Sequence, residues 1–558
     1  MSAEESRLAE NEAATSEGLA EHSTCDQSIA VENASQERGE SRAKLRRELI
    51  GLSEEHSTHA RLAYRFAADA LDRFVHVTGL GWHFYDGARW TVDEGNKRVA
   101  AALLETIRGV PIGTLTQPEL DALNRNSGLR GTLEVAESIG ALSVHYTKLD
   151  ADPWALNCQN GTLDLRTMAL REHSPTDFIT KVTNAPYDPS ARSELWERFL
   201  ESSLPDPEVR GFVQRCSGIA LVGKQLLHHL LVHHGAGRNG KGVFYQAKGH
   251  ALGDYWHHAA SDLFDVERGS SPNGAKPAML ALRGARYVSL SETAKQVKID
   301  TARLKALTGD DNITGRMLYS NVTVQFAPSH WIELISNFLP QLPDDDNAVW
   351  ERVQAVPWDV VIPREERDPE LPEKLKAEGA AILAWMVAGL VEYNDRGLDA
   401  PEAVTAKTAT YREDQNDLKR FIEDCCEEAP TTRDELSMAK LREAYVGWAQ
   451  REGIWKSKVL DTREFKTALE KLGYSVVKTN RGMSCGLRLA VLEDANDEPT
   501  HEPQTPAQKQ LSEDGKARAA AMLRATGGAK VLSGAPLQKA ADAKPLADVP
   551  EEVFEPVG

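Results

Sequence analysis

A glycine-rich segment near the middle of the chain carries the residue types best suited to hold phosphate. Residues 229–244 read HLLVHHGAGRNGKGVF, so an apolar run is followed by Gly235, four further residues, Gly240 and Lys241. Glycines let backbone N–H groups turn toward phosphate oxygens, the lysine neutralises phosphate charge, and a helix that follows presents its positive end. The segment predicts nucleotide binding, with a glycine-rich turn beside a surface lysine as the alternative. The predicted contacts are Gly235, Ala236, Gly237, Arg238, Asn239, Gly240, Lys241, Gly242 and Val243.

The residue after the lysine departs from this pattern. A serine or threonine usually stands there, and its hydroxyl is a ligand of Mg²⁺, whereas this chain has Gly242. The sequence leaves two interpretations open. Either Mg²⁺ is held through water and other side chains, or nucleotide hydrolysis is slow.

Three polar residues that follow the lysine in the chain have the types that nucleotide hydrolysis uses. Glu292 ends the strand-like part of RYVSLSET, 51 residues beyond Lys241, and is the predicted acid that organises Mg²⁺ and the attacking water. Asn337 ends the apolar run in SHWIELISNFLP and is suited to hydrogen-bond a γ-phosphate or its water. Arg352, in VWERVQAVPWDV, is the predicted arginine that reaches the nucleotide of a neighbouring subunit. Asn337 or Arg352 alone would more often be structural. Their order after the glycine-rich loop and Glu292 favours a shared function.

Regular elements must position these residues. Hydrophobic patterning predicts a strand before Gly235, a helix after Lys241, and further strands over 287–290 and ahead of Asn337. Between residue 41 and about 195, the helical runs RAKLRRELIGL and ARLAYRFAADALDRFVHV precede two hairpin signals, GWHFYDGARWTV and ALNCQNGTLDLRTM. These patterns predict an α+β accessory domain.

The composition narrows the class of protein. The 558 residues include 65 Lys and Arg against 84 Asp and Glu, a net charge of −19, and apolar stretches such as AAILAWMVAGL are too short to span a bilayer. The N-terminus lacks a basic start and an apolar run, and the six cysteines form no Cys-x-x-Cys, which predicts a cytoplasmic chain with reduced thiols. Residues 1–40 and 491–558 are predicted to be disordered tails.

The chain is basic over one stretch near its end. Residues 417–490 predict three helices, around LKRFIEDC, MAKLREAYVGWAQ and TREFKTALEKLG, followed by a hairpin in SVVKTNRGMSCGLRLAV, an order that fits a winged helix. Residues 453–490 hold eight Lys and Arg against three acids, a local net charge of +5, which is typical of a DNA-binding surface. Pairing of Arg463 and Lys466 with Glu464 and Glu470 along their helix is the alternative. The predicted DNA contacts here are Lys466, Lys478 and Arg481.

The order of several motifs resembles the superfamily 3 helicase core of phage and plasmid primase-helicases and of poxvirus-type helicase-primases. The motifs are GAGRNGKG, YVSLSE, LKALTGDDNITGRML, LISNFLP and AVWERV, with NGTLDLRT, YDPSA and Trp196 upstream, so the resemblance covers about residues 60–490. It implies an AAA+-like P-loop ATPase, usually a hexameric ring, that hydrolyses ATP with Mg²⁺ to move along one DNA strand. By motif position, Glu292 activates water and is the metal-binding acid, Asn337 senses the γ-phosphate and Arg352 is the finger. Ser291 stands where a second acid is usual.

Members of this family place a β-hairpin between the acid and the sensor residue, where it grips DNA in the ring's channel. Here the candidate is ITGRMLYSNVTVQF, with Tyr319 at its turn and Lys305 and Arg316 nearby. Packing within the hairpin is the alternative for Tyr319, and action at the nucleotide is the alternative for Arg316.

Five regions and one principal function follow from these patterns. The regions are a disordered acidic tail (1–40), an α+β accessory domain (41–195), a helicase ATPase domain (196–400), a winged-helix domain (401–490) and a disordered tail (491–558). The α/β chain is expected to be an ATP-dependent DNA helicase of phage or plasmid replication that binds single-stranded and origin or fork DNA. An ATP-bound origin-binding initiator or loader is the alternative. No primase domain is expected here, so a separate primase is an expected partner.

Overall fold

The computed structural model describes residues 40–490 apart from 112, 114–115, 124, 265–276, 293–298, 317–322, 344–345, 432–433, 453, 455–458 and 480–481. Only the backbone is described at residues 118, 119, 122, 277, 292, 316 and 479. Both predicted tails therefore lie outside the described residues, apart from residue 40. The chain divides into two compact units, one of residues 1–424 and 442–475 and the other of residues 425–441 and 476–558. Over the described part of the chain, no helix has the length and apolar character needed to cross a membrane.

The N-terminal part of the larger unit is a mixture of helices and small sheets, as predicted. Its four-stranded sheet has the order β3-β2-β1-β4, and β5, β6 and β7 form an antiparallel sheet. Both predicted hairpins are confirmed as β2–β3 and β5–β6. The elements are α1 (40–55), α2 (Thr58–Ala70), β1 (Phe74–Thr78), β2 (Gly81–Tyr85), β3 (Trp90–Val92), α3 (Lys97–Arg108), α4 (Gln117–Leu123), α5 (Asn126–Glu137), β4 (Ser143–His145), β5 (Ala155–Cys158), β6 (Gly161–Asp164) and β7 (Ala169–Arg171).

The helix predicted across ARLAYRFAADALDRFVHV is wrong in its last part. Helix α2 ends at Ala70, and the chain from Phe74 forms strand β1. Asp72 takes a left-handed backbone conformation, with φ +65°, which no helix can continue through. The β-branched side chains of Val75 and Val77, two residues apart, then lie on the same buried face of strand β1.

A five-stranded parallel sheet forms the centre of the next part, with the strand order β14-β8-β13-β10-β9. Every residue of β13 is buried, as expected for a parallel sheet covered on both faces. The elements are α6 (Glu194–Ser203), α7 (Pro207–Ile219), β8 (Leu230–His234), α8 (Lys241–Leu252), β9 (Trp256–Ala259), α9 (Pro277–Leu280), β10 (Tyr287–Glu292), α10 (Thr301–Thr308), β11 (Ile313–Arg316), β12 (Thr323–Phe326), β13 (Trp331–Ser336), α11 (Asn347–Trp350), β14 (Val353–Pro357), α12 (Leu371–Ala377), α13 (Gly379–Arg396) and α14 (Glu402–Asp414).

Helices close this sheet on its faces and along one edge. Helices α7 and α13 cross so closely that a Cβ on Gly218 would lie 2.1 Å from the backbone nitrogen of Leu390, which requires glycine there. Strand β14 is an edge strand, and α14 packs along it. The backbone N–H of Ala355 in β14 donates to Oγ1 of Thr408 in α14 at 2.9 Å.

The predicted hairpin of ITGRMLYSNVTVQF is confirmed in its two strands. Strands β11 and β12 pair antiparallel, with Ile313 opposite Phe326 and Arg316 opposite Thr323. The turn between them, which includes Tyr319, lies outside the described residues.

The predicted succession of three helices and a hairpin is confirmed in the C-terminal part, while their assembly into a winged helix stays a prediction. In the larger unit, Phe421, Tyr445, Trp448 and Phe465 pack their rings together between the three helices. In the smaller unit, β16 pairs with β17 and β15 pairs with β18. The elements are α15 (Asp417–Cys425), β15 (Cys426–Glu428), α16 (Met438–Arg451), α17 (Thr462–Lys471), β16 (Val477–Thr479), β17 (Gly482–Ser484) and β18 (Leu487–Leu489).

Candidate functional site

The glycine-rich loop joins a strand to a helix, as predicted. Strand β8 ends at His234 and helix α8 begins at Lys241, so residues 235–240 form the connection. Gly237, Arg238 and Gly240 take left-handed conformations, with φ of +95°, +58° and +86°. A Cβ at Gly235 would lie 2.2 Å from the carbonyl oxygen of Trp358. The two outer glycines of the motif are therefore required, one by its close contact and the other by its backbone conformation.

The ammonium group of Lys241 lies inside this loop rather than in solvent. Lys241 is 4% exposed, and its Nζ donates to the carbonyl oxygen of Gly235 at 2.8 Å, to Oδ1 of Asn239 at 3.2 Å and to Oδ1 of Asn337 at 3.3 Å. Burial lowers the pKa of Lys241 to about 8. The structure thus brings Lys241 and Asn337 together, although 96 residues separate them in sequence.

The strand that ends in Glu292 delivers it to the same edge of the sheet. Glu292 pairs with Ser336 in the register of β10 and β13, and Asn337 follows directly. The carboxyl ends of parallel strands meet at one edge of a sheet, which is where such sheets bind ligands. The backbone of Glu292 therefore stands at the edge that holds Lys241 and Asn337, while its side chain lies outside the described atoms.

The structure does not bring Arg352 to Lys241. Arg352 precedes β14, and its carbonyl oxygen accepts from the N–H of Leu230, the first residue of β8. The length of β8 separates this end of the sheet from the loop, which at ~3.3 Å per residue is roughly 15 Å. Nη1 of Arg352 donates to the carbonyl oxygen of Ala348 at 2.7 Å. Its buried Nε has no acceptor among the described residues.

The residues predicted to contact DNA fall in different surroundings. Lys305 is paired with Asp346, with Nζ 2.7 Å from Oδ2, and Asp346 also caps helix α11. Nζ of Lys466 lies 3.7 Å from Oε1 of Glu470, which agrees with the alternative interpretation that this lysine pairs along its own helix. Lys478 is exposed on β16. The side chain of Arg316, together with all of Tyr319 and Arg481, lies outside what the structure describes.

Sequence reasoning missed a group of buried polar side chains beneath the loop. We name Glu333, Lys248, His233 and Tyr287 the Glu333 cluster; none is more than 1% exposed. Lys248 Nζ lies 2.9 Å from both carboxylate oxygens of Glu333, Tyr287 donates its hydroxyl to Oε2 at 2.8 Å, and His233 Nε2 lies 3.2 Å from Oε2. Burial alone would raise the pKa of Glu333, but Lys248 and His233 hold it well below its usual range. A glutamate inside the otherwise apolar run WIELI was the available signal.

The predicted metal-binding acid, Glu292, is described in its backbone only. Among the described side chains, no group of three or more His, Cys, Asp or Glu is arranged to hold a metal ion. A Cβ added at Gly242, the second residue of α8, would meet nothing within 4 Å, so packing does not explain the absence of a hydroxyl there. Each of the five described cysteines is a free thiol.

Comparison with known proteins gives a family match and several viral relatives. The family described as "D5 N terminal like" matches residues 60–205. The "Putative helicase L207/L206" of Acanthamoeba polyphaga mimivirus is 26% identical over 350 residues, which are 58% of this chain and 36% of that protein. The "Putative primase C962R" of African swine fever virus (strain Badajoz 1971 Vero-adapted) is 23% identical over 346 residues, 57% of this chain and 35% of that protein. The matches therefore span about a third of the length of these two relatives.

A solved structure described as "The A form apo structure of NrS-1 C terminal region-CTR" aligns over 75% of this chain and 96% of that chain. The TM-score is 0.39 and the sequence identity is 11%.

Proposed function

We propose that this chain is a primase-helicase family protein and an ATP-driven DNA helicase motor of phage, plasmid or viral replication with a P-loop ATPase core. The observation that carries the proposal is the meeting of Lys241 and Asn337 inside a glycine loop at the carboxyl edge of a parallel sheet. The names of the viral relatives support a helicase or primase kind of enzyme. The matches span about a third of those proteins, and the proposal concerns the motor alone. A separate primase is the proposed partner, as the sequence predicts.

The loop residues provide the phosphate site in this proposal. Backbone N–H groups of the loop and of the first turn of α8 face the phosphates, and Lys241 keeps its bond to Asn239 while it exchanges its other two acceptors, Gly235 and Asn337, for phosphate oxygens. Asn337, released from Lys241, then hydrogen-bonds the γ-phosphate or the attacking water. Glu292 is the proposed acid for Mg²⁺ and for that water, and Mg²⁺ would neutralise charge that develops on the phosphates.

The position of Arg352 supports a ring, usually a hexamer in this family, in which each nucleotide lies between two subunits. Arg352 stands at the edge of the sheet opposite to Lys241, so it cannot serve the nucleotide of its own subunit. An arginine supplied by the neighbouring subunit meets this requirement. DNA would pass through the ring along the β11–β12 hairpin, with the basic C-terminal residues as a second contact.

Steady-state ATP hydrolysis of the purified chain, with and without single-stranded DNA, tests the proposal. Hydrolysis that DNA stimulates is the expected result. Tight ATP binding without turnover would instead favour the second candidate, an ATP-bound origin-binding initiator or loader. Gly242 is the observation that favours this candidate, because its hydroxyl ligand for Mg²⁺ is missing.

Adding the missing hydroxyl is expected to strengthen Mg²⁺ binding. Gly242 has open space where a Cβ would point, with no heavy atom within 4 Å, so a side chain such as that of Gly242→Thr can start there without displacing a neighbour. The Mg²⁺ concentration for half-maximal binding of ATP should fall roughly threefold to tenfold, because a protein oxygen replaces a water ligand. Gly242→Ala is the matched control, since it adds the Cβ without the oxygen. Equal Mg²⁺ dependence in both variants would contradict a metal ligand at this position.

ATP affinity is expected to decrease as the pH rises above about 8. Burial lowers the pKa of Lys241 to about 8 in the nucleotide-free chain, and phosphate favours the charged ammonium. Below this pKa the lysine is already protonated and affinity stays level. Above it, binding must take up a proton, so the Kd should rise by up to about tenfold per pH unit. A fluorescent ATP analogue titrated between about pH 7 and 9.5 measures this, and a level profile would contradict it.

A further inference from the structure

The burial of the Glu333 cluster is better explained by where its members lie than by a contribution to the stability of the fold. A buried ion pair is often no more stabilising than apolar residues of the same volume. Each element that carries a residue of the nucleotide site also contributes one member of the cluster. His233 is on β8, which leads into the loop, Lys248 is on α8, Tyr287 begins the strand that ends in Glu292, and Glu333 is on the strand before Asn337.

Trp358 connects this cluster to the loop. Its indole Nε1 donates to Nδ1 of His233 at 2.8 Å. An indole N–H can only donate, so Nδ1 of His233 accepts, and the ring proton is on Nε2, where it faces Glu333. Both partners of His233 therefore select the same tautomer, because the indole of Trp358 requires an acceptor at Nδ1 and the carboxylate of Glu333 requires a donor at Nε2.

The backbone of Trp358 holds the loop itself. Its carbonyl oxygen accepts from Nδ2 of Asn239 at 2.7 Å, and its N–H donates to the carbonyl oxygen of His234 at 2.7 Å. The other end of the same Asn239 amide, Oδ1, accepts from Nζ of Lys241. One side chain thus joins the carbonyl of Trp358 to the phosphate-binding lysine.

We propose that Trp358 is a positioning residue for the nucleotide site, which acts through Asn239 on the ammonium group of Lys241. Within the Glu333 cluster, His233 accepts from the indole of Trp358 and holds it in place. The carbonyl of Trp358 in turn holds Asn239. The inference rests on the proposed function, since it takes Lys241 to be the phosphate ligand. Ground-state binding of ATP depends on the whole loop, whereas turnover depends on how well Lys241 is placed, so Trp358 should affect kcat more than KM.

Two matched variants test this inference. In the unaltered chain the ring centroids of Trp358 and Phe244 lie 5.4 Å apart. Trp358→Phe keeps an aromatic ring at this contact and removes the indole N–H that donates to His233. Trp196→Phe removes the same atoms from a ring 5.8 Å from Phe244, but among the described residues Nε1 of Trp196 has no acceptor. We expect Trp358→Phe to lower kcat for ATP hydrolysis about tenfold, with KM within about twofold, and Trp196→Phe to leave both within about twofold.

A spectroscopic measurement and a second variant complete the test. In the nucleotide-free chain, ¹⁵N-histidine NMR should show His233 protonated on Nε2, and Trp358→Phe, but not Trp196→Phe, should shift the Nδ1 resonance, because Nδ1 loses its hydrogen-bond donor while Nε2 keeps its proton toward Glu333. Asn239→Ala interrupts the connection at its other end, and its loss of kcat should not add to that of Trp358→Phe in the double variant. Additive losses, or kinetics of Trp358→Phe that match Trp196→Phe, overturn the inference alone. Failure of the unaltered chain to hydrolyse ATP overturns the proposed function and this inference with it.

Discussion

Replacing Lys241 by alanine is expected to lower ATP hydrolysis by roughly 10²–10³-fold, the usual loss when one donor to transition-state charge is removed. The reason is specific to this side chain, because its ammonium lies at the centre of the loop and contacts three oxygens of the site. Binding of ATP should weaken as well, since charge on the phosphates would have no cation beside it. Steady-state ATPase assays and titration with a fluorescent ATP analogue measure the two effects.

DNA binding provides the control for this variant. The basic C-terminal residues lie on other elements, such as α17 and β16, so Lys241→Ala should retain affinity for single-stranded DNA in the absence of nucleotide. Thermal unfolding of the variant shows whether the loop still folds once Asn239 and Asn337 lose their common donor. Equal loss of ATP hydrolysis and DNA binding in a folded variant would contradict the separation of motor and DNA contacts.

Arg352→Ala is expected to have the larger effect on turnover, a loss of about 10³–10⁵-fold in kcat, if this arginine acts on the neighbouring nucleotide. ATP binding to the isolated subunit should be retained, because Arg352 lies at the far end of β8 from the loop. Single-turnover hydrolysis and nucleotide titration of the same preparation separate these two effects.

Mixing variants distinguishes action between subunits from action within one. Arg352→Ala subunits retain Glu292, and Glu292→Gln subunits retain Arg352, so a mixed ring contains some complete sites. Partial recovery of ATPase activity on mixing is the expected result. Absence of recovery, with both variants shown to assemble, would count against a ring in which Arg352 completes the neighbouring site.

Local patterns were sufficient for the parts of the site that are contiguous in sequence. The loop from Gly235 to Lys241 combines an apolar strand, glycines in left-handed conformations and a helix start, all within a few residues. Asn337 was assigned because it ends an apolar run and follows Glu292 in the chain, and its contact with Lys241 is now observed. The helicase activity, the ring and the DNA contacts stay predictions.

Long-range packing explains what the sequence did not predict. Trp358 lies 119 residues from Asn239, and its contact with the loop depends on the pairing of β14 with β8, for which no local pattern exists. The boundary between α2 and β1 was misassigned for a local reason, because helical patterning continues through Asp72 while its backbone turns left-handed. Buried charges such as Glu333 and Lys248 become interpretable only when their partners are known.

The hydroxyl of Thr408 has a consequence for how this chain behaves at high concentration. An unprotected edge strand offers unpaired N–H and C=O groups to other chains and can lead to aggregation. At β14 the N–H of Ala355 is already occupied by Thr408, and helix α14 covers the strand. Subunits packed side by side would therefore meet through side chains rather than by extending the sheet, and this side of the core is protected against uncontrolled self-association.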